Sequence, residues 1–396
     1  EAGDHFTPRE VIRLMVNLVF LPDSEILTRK GIVKTLYDPA CGTGGFLAQS
    51  YEYMAGDGKI KSPDQLETLK TRTFYGREKE NLVYPIALAN LILHGIDKPN
   101  IWHGNTLTGN ETYGGLFEGA PPLFNVILTN PPFGGKESKE AQTRFAYQTG
   151  ATQVLFLQHV INSLDKNGRC GIVLDEGLLF RTNEDAFVKT KRMLLEQCNL
   201  WCILSLPAGV FTAAGAGVKT NLLFFTKGKS TEKIWYYDLT DVKVRKKTPL
   251  TISHFDDFFK RLKNYEDSEL SWTVHIIERK KKAQAEAEPF KKELTEKKQK
   301  AARWKEKLLE LKKAKGSQRS EKAITETEEN FKAVSKEVRE LENKINDIES
   351  AVYDLKAVNP NKKPVVDNRT PKELLDLIEA KGKEITEALS TLRKIS

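Results

Sequence analysis

The sequence predicts an α/β chain: a mostly parallel sheet with helices on both faces, followed by a separate helical region. Three observations carry this. Short apolar runs alternate with amphipathic helical patterns from residue 1 to about 260. Two of these runs end in glycine-rich or proline-rich turns. After about residue 275, Lys, Glu and Ala dominate and the apolar residues fall into heptad spacing. The expected divisions are an α/β domain over 1–260, a helical hairpin over 275–357 and a final helix over 368–396.

Seven strands are expected in order: Ile32–Tyr37, Thr71–Tyr75, Asn100–His103, Phe124–Thr129, Gly171–Leu174, Cys202–Leu206 and Asn221–Thr226. The last two are joined by a Gly/Ala-rich loop with no evident helix, so they are expected to pair as an antiparallel hairpin. Before the first strand, Phe6-Thr7-Pro8-Arg9-Glu10 reads as a helix start, with Thr7 and Glu10 as a capping box and Pro8 in the first turn.

In the tail, Phe331, Val334, Val338, Leu341, Ile345, Ile348, Val352 and Leu355 keep a 3-4 beat. Ala283, Ala287, Phe290, Leu294, Ala301, Trp304, Leu308 and Leu311 keep it upstream, with Lys297 as a polar break. The polar stretch 315–320 between them predicts a turn, hence an antiparallel helical hairpin with room for a further helical partner. Asn359-Pro360 and Lys363-Pro364 interrupt the pattern, and Thr370-Pro371-Lys372-Glu373 restarts a helix.

Among the 396 residues, 39% are hydrophobic and 29% charged, so a sizeable core is possible but part of the chain is not core. No apolar run approaches the ~20 residues of a membrane span, and a cytoplasmic protein is expected. The first residue is Glu, which suggests a fragment. Cys41, Cys170, Cys198 and Cys202 form no CxxC pair, so reduced thiols and no metal site are expected. The net charge of +8 suits a nucleic-acid partner, although much of it lies in the C-terminal third, where it also suits a solvated helix face.

Chemistry is concentrated at three strand ends. Asp38-Pro39-Ala40-Cys41-Gly42-Thr43-Gly44-Gly45 follows the first strand and leads into a helix. Glycines admit a ligand close to the backbone. The loop has neither the lysine of a triphosphate loop nor the spacing of a dinucleotide loop. An acid ahead of it suits an ammonium or sulfonium better than a pyrophosphate. Glu78, just beyond the second predicted strand, can accept two ribose hydroxyls. Asn105, after the third, is either a reader of an adenine edge or a turn residue. Asn130-Pro131-Pro132-Phe133 ends the fourth: two prolines remove N–H donors and hold an amide, bare carbonyls and an aromatic ring rigidly.

Taken in order, "GDHFTPREVI", "DPACGTGGFL", "GNTL", "TNPPFGG", "GRCGIVLDEGLLF" and "LPAGVFTAAGAGVKTNLLFFTKG" resemble the methylation subunit of type I restriction–modification systems, within the N6-adenine DNA methyltransferases. The resemblance covers about residues 1–230 and extends to the tail only in general character. It implies a Rossmann-like class I fold and S-adenosylmethionine as cofactor. Asp4, His5, Phe6, Thr7, Pro8 and Arg9 would line the methionine end, with Thr7 near its carboxylate. Asp38, Thr43, Gly44 and Gly45 would form the loop contacts, Glu78 would hold the ribose, and Asn105 would lie near the adenine. Asn130, Pro131, Pro132 and Phe133 would be catalytic, and Lys219 is either a phosphate contact or an exposed loop lysine. The implied partners are duplex DNA, a specificity subunit bound by the C-terminal helices, a second methylation subunit and a restriction subunit. Methylation of RNA or of a protein glutamine, and a non-catalytic scaffold, are the competing readings.

Overall fold

The computed structural model describes residues 7–20, 34–56, 60, 62–113, 119–211, 219–245, 248–313, 320–362 and 370–395. Among the described residues ten strands form one sheet: β1 (Leu36–Asp38), β2 (Phe74–Glu78), β3 (Asn100–Gly104), β4 (Glu111–Tyr113), β5 (Phe124–Thr129), β6 (Leu164–Asp175), β7 (Cys198–Ser205), β8 (Thr220–Lys227), β9 (Lys233–Asp238) and β10 (Ser271–His275). The helices are α1 (Arg9–Phe20), α2 (Gly45–Ala55), α3 (Pro63–Arg72), α4 (Tyr84–Leu93), α5 (Lys139–Thr143), α6 (Thr152–Ser163), α7 (Glu176–Phe180), α8 (Asp185–Gln197), α9 (Asp256–Leu262), α10 (Ile276–Lys313), α11 (Glu321–Ser350) and α12 (Pro371–Ile395).

The strand order is β10-β9-β7-β8-β6-β5-β1-β2-β3-β4. The seven expected strands are all present and form its centre, in the order β3-β2-β1-β5-β6-β8-β7. Of these only β8 runs antiparallel, and it pairs with both β6 and β7. The expected hairpin of the last two strands is therefore present; the loop 212–218 between them lies outside the described residues. Three strands were not expected. β4 is a three-residue edge strand, and β10, at the other edge, pairs only with β9. β9 carries a buried apolar run, Ile234-Trp235-Tyr236-Tyr237, and its β-branched and aromatic content was the signal available.

The central strands are buried on both faces. In β8, Leu222 and Phe224 enter one core with α1, α2 and α9, while Leu223 and Phe225 enter the other with α6 and α8. That alternation is what two layers of helices require of a sheet between them. α1 lies across the first core with eight of its twelve residues buried, and the Arg169 guanidinium of β6 donates to the Val19 carbonyl (3.0 Å). This fixes the position of the helix that Thr7 leads into.

α10 follows β10 directly and pairs antiparallel with α11. Ion pairs run in opposite senses along the two helices: Lys291 with Glu349, Lys298 with Glu342, Lys312 with Glu328. Lys297, the break in the apolar seam, pairs with Glu337. Val352 and Leu355 keep the heptad beat, but α11 ends at Ser350, so they do not belong to the hairpin seam. They are buried instead against the sheet's second core, because the chain turns back after α11 and the Leu355 N–H donates to the Leu179 carbonyl (3.0 Å).

Residues 360–396 form a second unit. Here the expected cap of α12 is formed: the Glu373 N–H donates to Thr370 Oγ1 (3.2 Å) and the Thr370 N–H to Glu373 Oε2 (2.6 Å). Leu375, Ile378, Ile385 and Leu389 of α12 are exposed. No helix among the described residues is long and apolar enough to cross a membrane.

Candidate active site

β1 lies between β2 and β5: the chain runs outward from β1 through β2 and β3 to β4, then crosses back to β5 on the other side of β1. Crevices form at the carboxyl ends of strands at such a switch point. A cavity of about 570 Å³ opens there, within the roughly 300–1,000 Å³ usual for ligand sites. Thr7, Asp38, Thr43, Gly45, Glu78, Asn105, Asn130, Pro131, Pro132 and Phe133 all line it. Pro8, Arg9 and Gly44 do not, and Asp4, His5 and Phe6 lie outside the described residues.

Asp38 ends β1 and is almost completely buried. Its Oδ1 accepts the Ala40 N–H (3.1 Å), which turns the chain into the glycine loop. Burial pushes its carboxyl up from 3.8 to about 7, with the nearby Glu78 charge adding to the effect. Gly42 and Gly44 adopt left-handed backbone (φ 54° and 80°), and α2 starts immediately after. At Gly45 a side chain would meet Ile12 Cδ1 of α1 at 2.8 Å, so the glycine lets loop and helix approach closely without shifting Ile12.

Glu78 ends β2. Its Oε2 accepts the Gly42 N–H (2.9 Å) and its Oε1 the Glu80 N–H (2.8 Å). Burial raises its pKa, and these two N–H groups act against that rise. A carboxylate has about four acceptor sites, so Glu78 keeps capacity for an incoming hydroxyl.

Asn105 Oδ1 accepts the N–H groups of Leu107 (2.9 Å) and Thr108 (3.2 Å). Its oxygen is committed to its own turn, although the residue faces the cavity. The Thr106 hydroxyl donates to the Pro39 carbonyl, which ties this turn to the Asp38 loop.

At the end of β5, the Asn130 amide is split in its bonding. Nδ2 donates to Thr7 Oγ1 (3.0 Å), while Oδ1 is buried with no donor among the described residues. The expected capping box at Thr7 is not formed: the Thr7 hydroxyl turns to Asn130, and the Glu10 carboxylate turns to Arg13 (3.4 Å). Phe133 is half-buried, its ring edge-on to Phe211 (5.5 Å between centroids).

Two residues absent from the sequence reading brace the proline loop. The Thr152 hydroxyl donates to Glu137 Oε1 (2.7 Å), and both line the cavity. Gly135 (φ 93°) makes room, since a Cβ there would lie 2.7 Å from Thr152 Oγ1. The pair of glycines after Phe133 was the available signal. Lys219 is not a free, exposed loop lysine. Its Nζ is held by Glu176 (3.2 Å) and the Ala357 carbonyl (2.7 Å), because the chain after α11 returns to this rim.

The strand order, with its crevice at the β1–β5 switch, defines a Rossmann-like class I methyltransferase fold. The profile of the N-6 DNA Methylase family matches residues 1–301, and the chain belongs to that family. It is 38% identical over 293 residues to the type I restriction enzyme EcoEI methylase subunit of Escherichia coli, covering 69% of this chain and 55% of that one. Among solved structures it is similar to a chain from work on complex assembly and conformational transition of the type I restriction–modification system (TM-score 0.63, 30% identity, 100% of this chain and 66% of that one). It is also similar to the EcoKI M protein (TM-score 0.54, 30% identity, 65% and 53%). The expected likeness to type I methylation subunits is borne out. The chain spans about half the length of the curated relatives it matches.

Proposed function

We propose that this chain transfers a methyl group from S-adenosylmethionine to the N6 amine of a flipped-out adenine in duplex DNA, as the methylating part of a type I modification subunit. The observation that carries the proposal is the buried, unpaired Oδ1 of Asn130, a residue that lines the same cavity as Asp38 and Glu78. An orphaned buried acceptor costs about 1–3 kcal/mol and calls for a donor; an amine supplies one.

The residues fit a cationic nucleoside that carries an amino acid. Asp38 and the glycine loop face the charged end, and Glu78 accepts the ribose hydroxyls. Asn105, its oxygen already committed, offers its amide nitrogen to the adenine. Thr7, just ahead of α1, lines the methionine end. When bound, the cofactor supplies a methyl group already activated by its sulfonium.

The exocyclic amine of adenine is a poor nucleophile because its lone pair is delocalised into the ring. Asn130 Oδ1 and the Pro131 carbonyl can each accept one amine hydrogen. The two bonds favour a pyramidal nitrogen and stabilise the positive charge that develops on it. Rigid placement beside the donor supplies much of the remaining acceleration. Phe133 offers a ring face to the base, which recovers part of the few kcal/mol spent on unstacking it.

The division into a methyl-transferring body, the α10–α11 hairpin and α12 is part of the same proposal. The half-covered hairpin seam and the exposed apolar residues of α12 suit docking of a specificity subunit. A second methylation subunit, a restriction subunit and a cytoplasmic setting complete the reading. The test is radiolabel transfer from S-adenosylmethionine to duplex DNA, RNA and a glutamine peptide, with mapping of the modified base. Label on adenine N6 is expected; label confined to RNA or peptide, or none on any of the three, would overturn the proposal.

A further inference from the structure

We infer that Thr7 is the positioning residue of the Asn130 amide, and that an acceptor-only group on the methyl donor sets that amide's orientation through it. The inference rests on the reading of Asn130 as the acceptor of the amine. A primary amide presents an oxygen on one side and a two-hydrogen donor on the other, nearly alike in shape. Only the oxygen can serve an amine; the amide turned over would oppose N–H to N–H.

Thr7 Oγ1 lies 3.0 Å from Asn130 Nδ2, on an element 123 residues away in sequence, so neither residue's local backbone dictates the pairing. A hydroxyl carries one hydrogen and can both donate and accept. By itself it would tolerate either face of the amide. Its preference is decided by what its own hydrogen meets. If that hydrogen is donated to a carboxylate, which only accepts, the hydroxyl oxygen is left only to accept. Asn130 must then offer Nδ2, and Oδ1 is left buried with no donor among the described residues.

The molecule has a place for such a carboxylate. Thr7 stands two residues before the twelve-residue α1, and both Thr7 and Ile12 line the cavity. The first N–H groups of a helix have no intrahelical partner, and the helix dipole there favours an anion. A donor that carries an amino-acid carboxylate at this end completes a chain of one polarity, from Asn130 Nδ2–H to Thr7 Oγ–H to carboxylate oxygen. Donor binding thereby completes the catalytic amide rather than merely filling a neighbouring site.

The experiment uses the full-length protein isolated with its assembly partners and reads kcat and KM separately. Thr7→Val keeps the shape and removes the hydroxyl. It is expected to lower kcat about 10- to 100-fold at saturating donor and DNA, the scale on which partners of active groups act. Thr7→Ser is expected to restore most of that rate. S-adenosylmethionine without its carboxylate is expected to lower wild-type kcat by a similar factor, with no further loss in Thr7→Val. A raised donor KM with unchanged kcat in Thr7→Val would overturn the inference, as would an equal loss in Thr7→Ser or independent, multiplying losses from variant and analogue. The wild-type result with the analogue stands even if Thr7→Val does not fold. Adenine methylation by the wild type with kcat untouched in Thr7→Val would sink this inference alone; no adenine methylation by the wild type would sink the parent reading as well.

Discussion

The ammonium of Lys219 donates to the carbonyl of Ala357, 2.7 Å away across 138 residues of sequence. Glu176 completes the knot, accepting from Lys219 (3.2 Å), from Asn221 Nδ2 (2.6 Å) and from the Ala357 N–H (3.2 Å). The residue that leads into β8 is thus fastened to the chain that returns from the helical hairpin. Lys219→Met removes one cation from a partly buried network and is expected to cost about 1–3 kcal/mol of stability. Denaturant unfolding of Lys219→Met, Glu176→Gln and the double variant checks this. Because the residues share one network, their effects should fail to add by at least ~0.5 kcal/mol; simple additivity would show that the knot is not a unit.

Asn130→Ala removes the unpaired acceptor and leaves the cofactor loop intact. Loss of one preorganised polar group is expected to lower kcat at least about 100-fold. Donor affinity, measured by calorimetry, should stay within about threefold. Loss of both together would assign Asn130 a structural role.

Asp38 sets a pH dependence. Its folded pKa, about 7, lies above the ordinary 3.8 because it is buried. The stability it contributes in its neutral form is therefore complete below about pH 4 and is lost as pH rises through about 7. A cationic donor favours the ionised carboxylate, so its binding releases a proton. Donor affinity is expected to rise as pH rises toward 7 and to level off above it. Calorimetry in buffers of different ionisation enthalpy reads the released proton directly, and Asp38→Asn should abolish it.

Gly134 and Gly135 separate backbone strain from crowding. Both have positive φ, 68° and 93°, but a Cβ at Gly134 meets open space while one at Gly135 meets Thr152 Oγ1 at 2.7 Å. Gly134→Ala is expected to cost about 1 kcal/mol from strain alone. Gly135→Ala should cost more, and should lower methyl transfer because it displaces the Thr152–Glu137 pair. Equal destabilisation of the two variants would mean that Thr152 yields freely.

Much of this molecule was legible without its structure. The seven central strands announce themselves as short apolar runs, because a strand buried on both faces must be apolar along its length. Asp38, Glu78 and Asn130 stand at strand ends, where the turn chemistry around them is local and specific. β4 and β10 were hidden because edge strands need few apolar residues. Asn105 showed both of its possible roles in sequence; only the fold revealed that its oxygen is spent on its own turn.

By itself, the amino-acid order determined the α/β layering, the glycine and proline loops, the pairing of two heptad helices and the cap of α12. Each of these depends on neighbours within about one heptad, or on periodicity, which a linear chain records. Tertiary structure decided that Thr7 holds Asn130, that Lys219 is tied to Ala357 and that Val352 and Leu355 leave the seam for the sheet. A hydroxyl or an ammonium satisfies whichever complementary group the fold brings within about 3 Å, and nothing in the local sequence names that group.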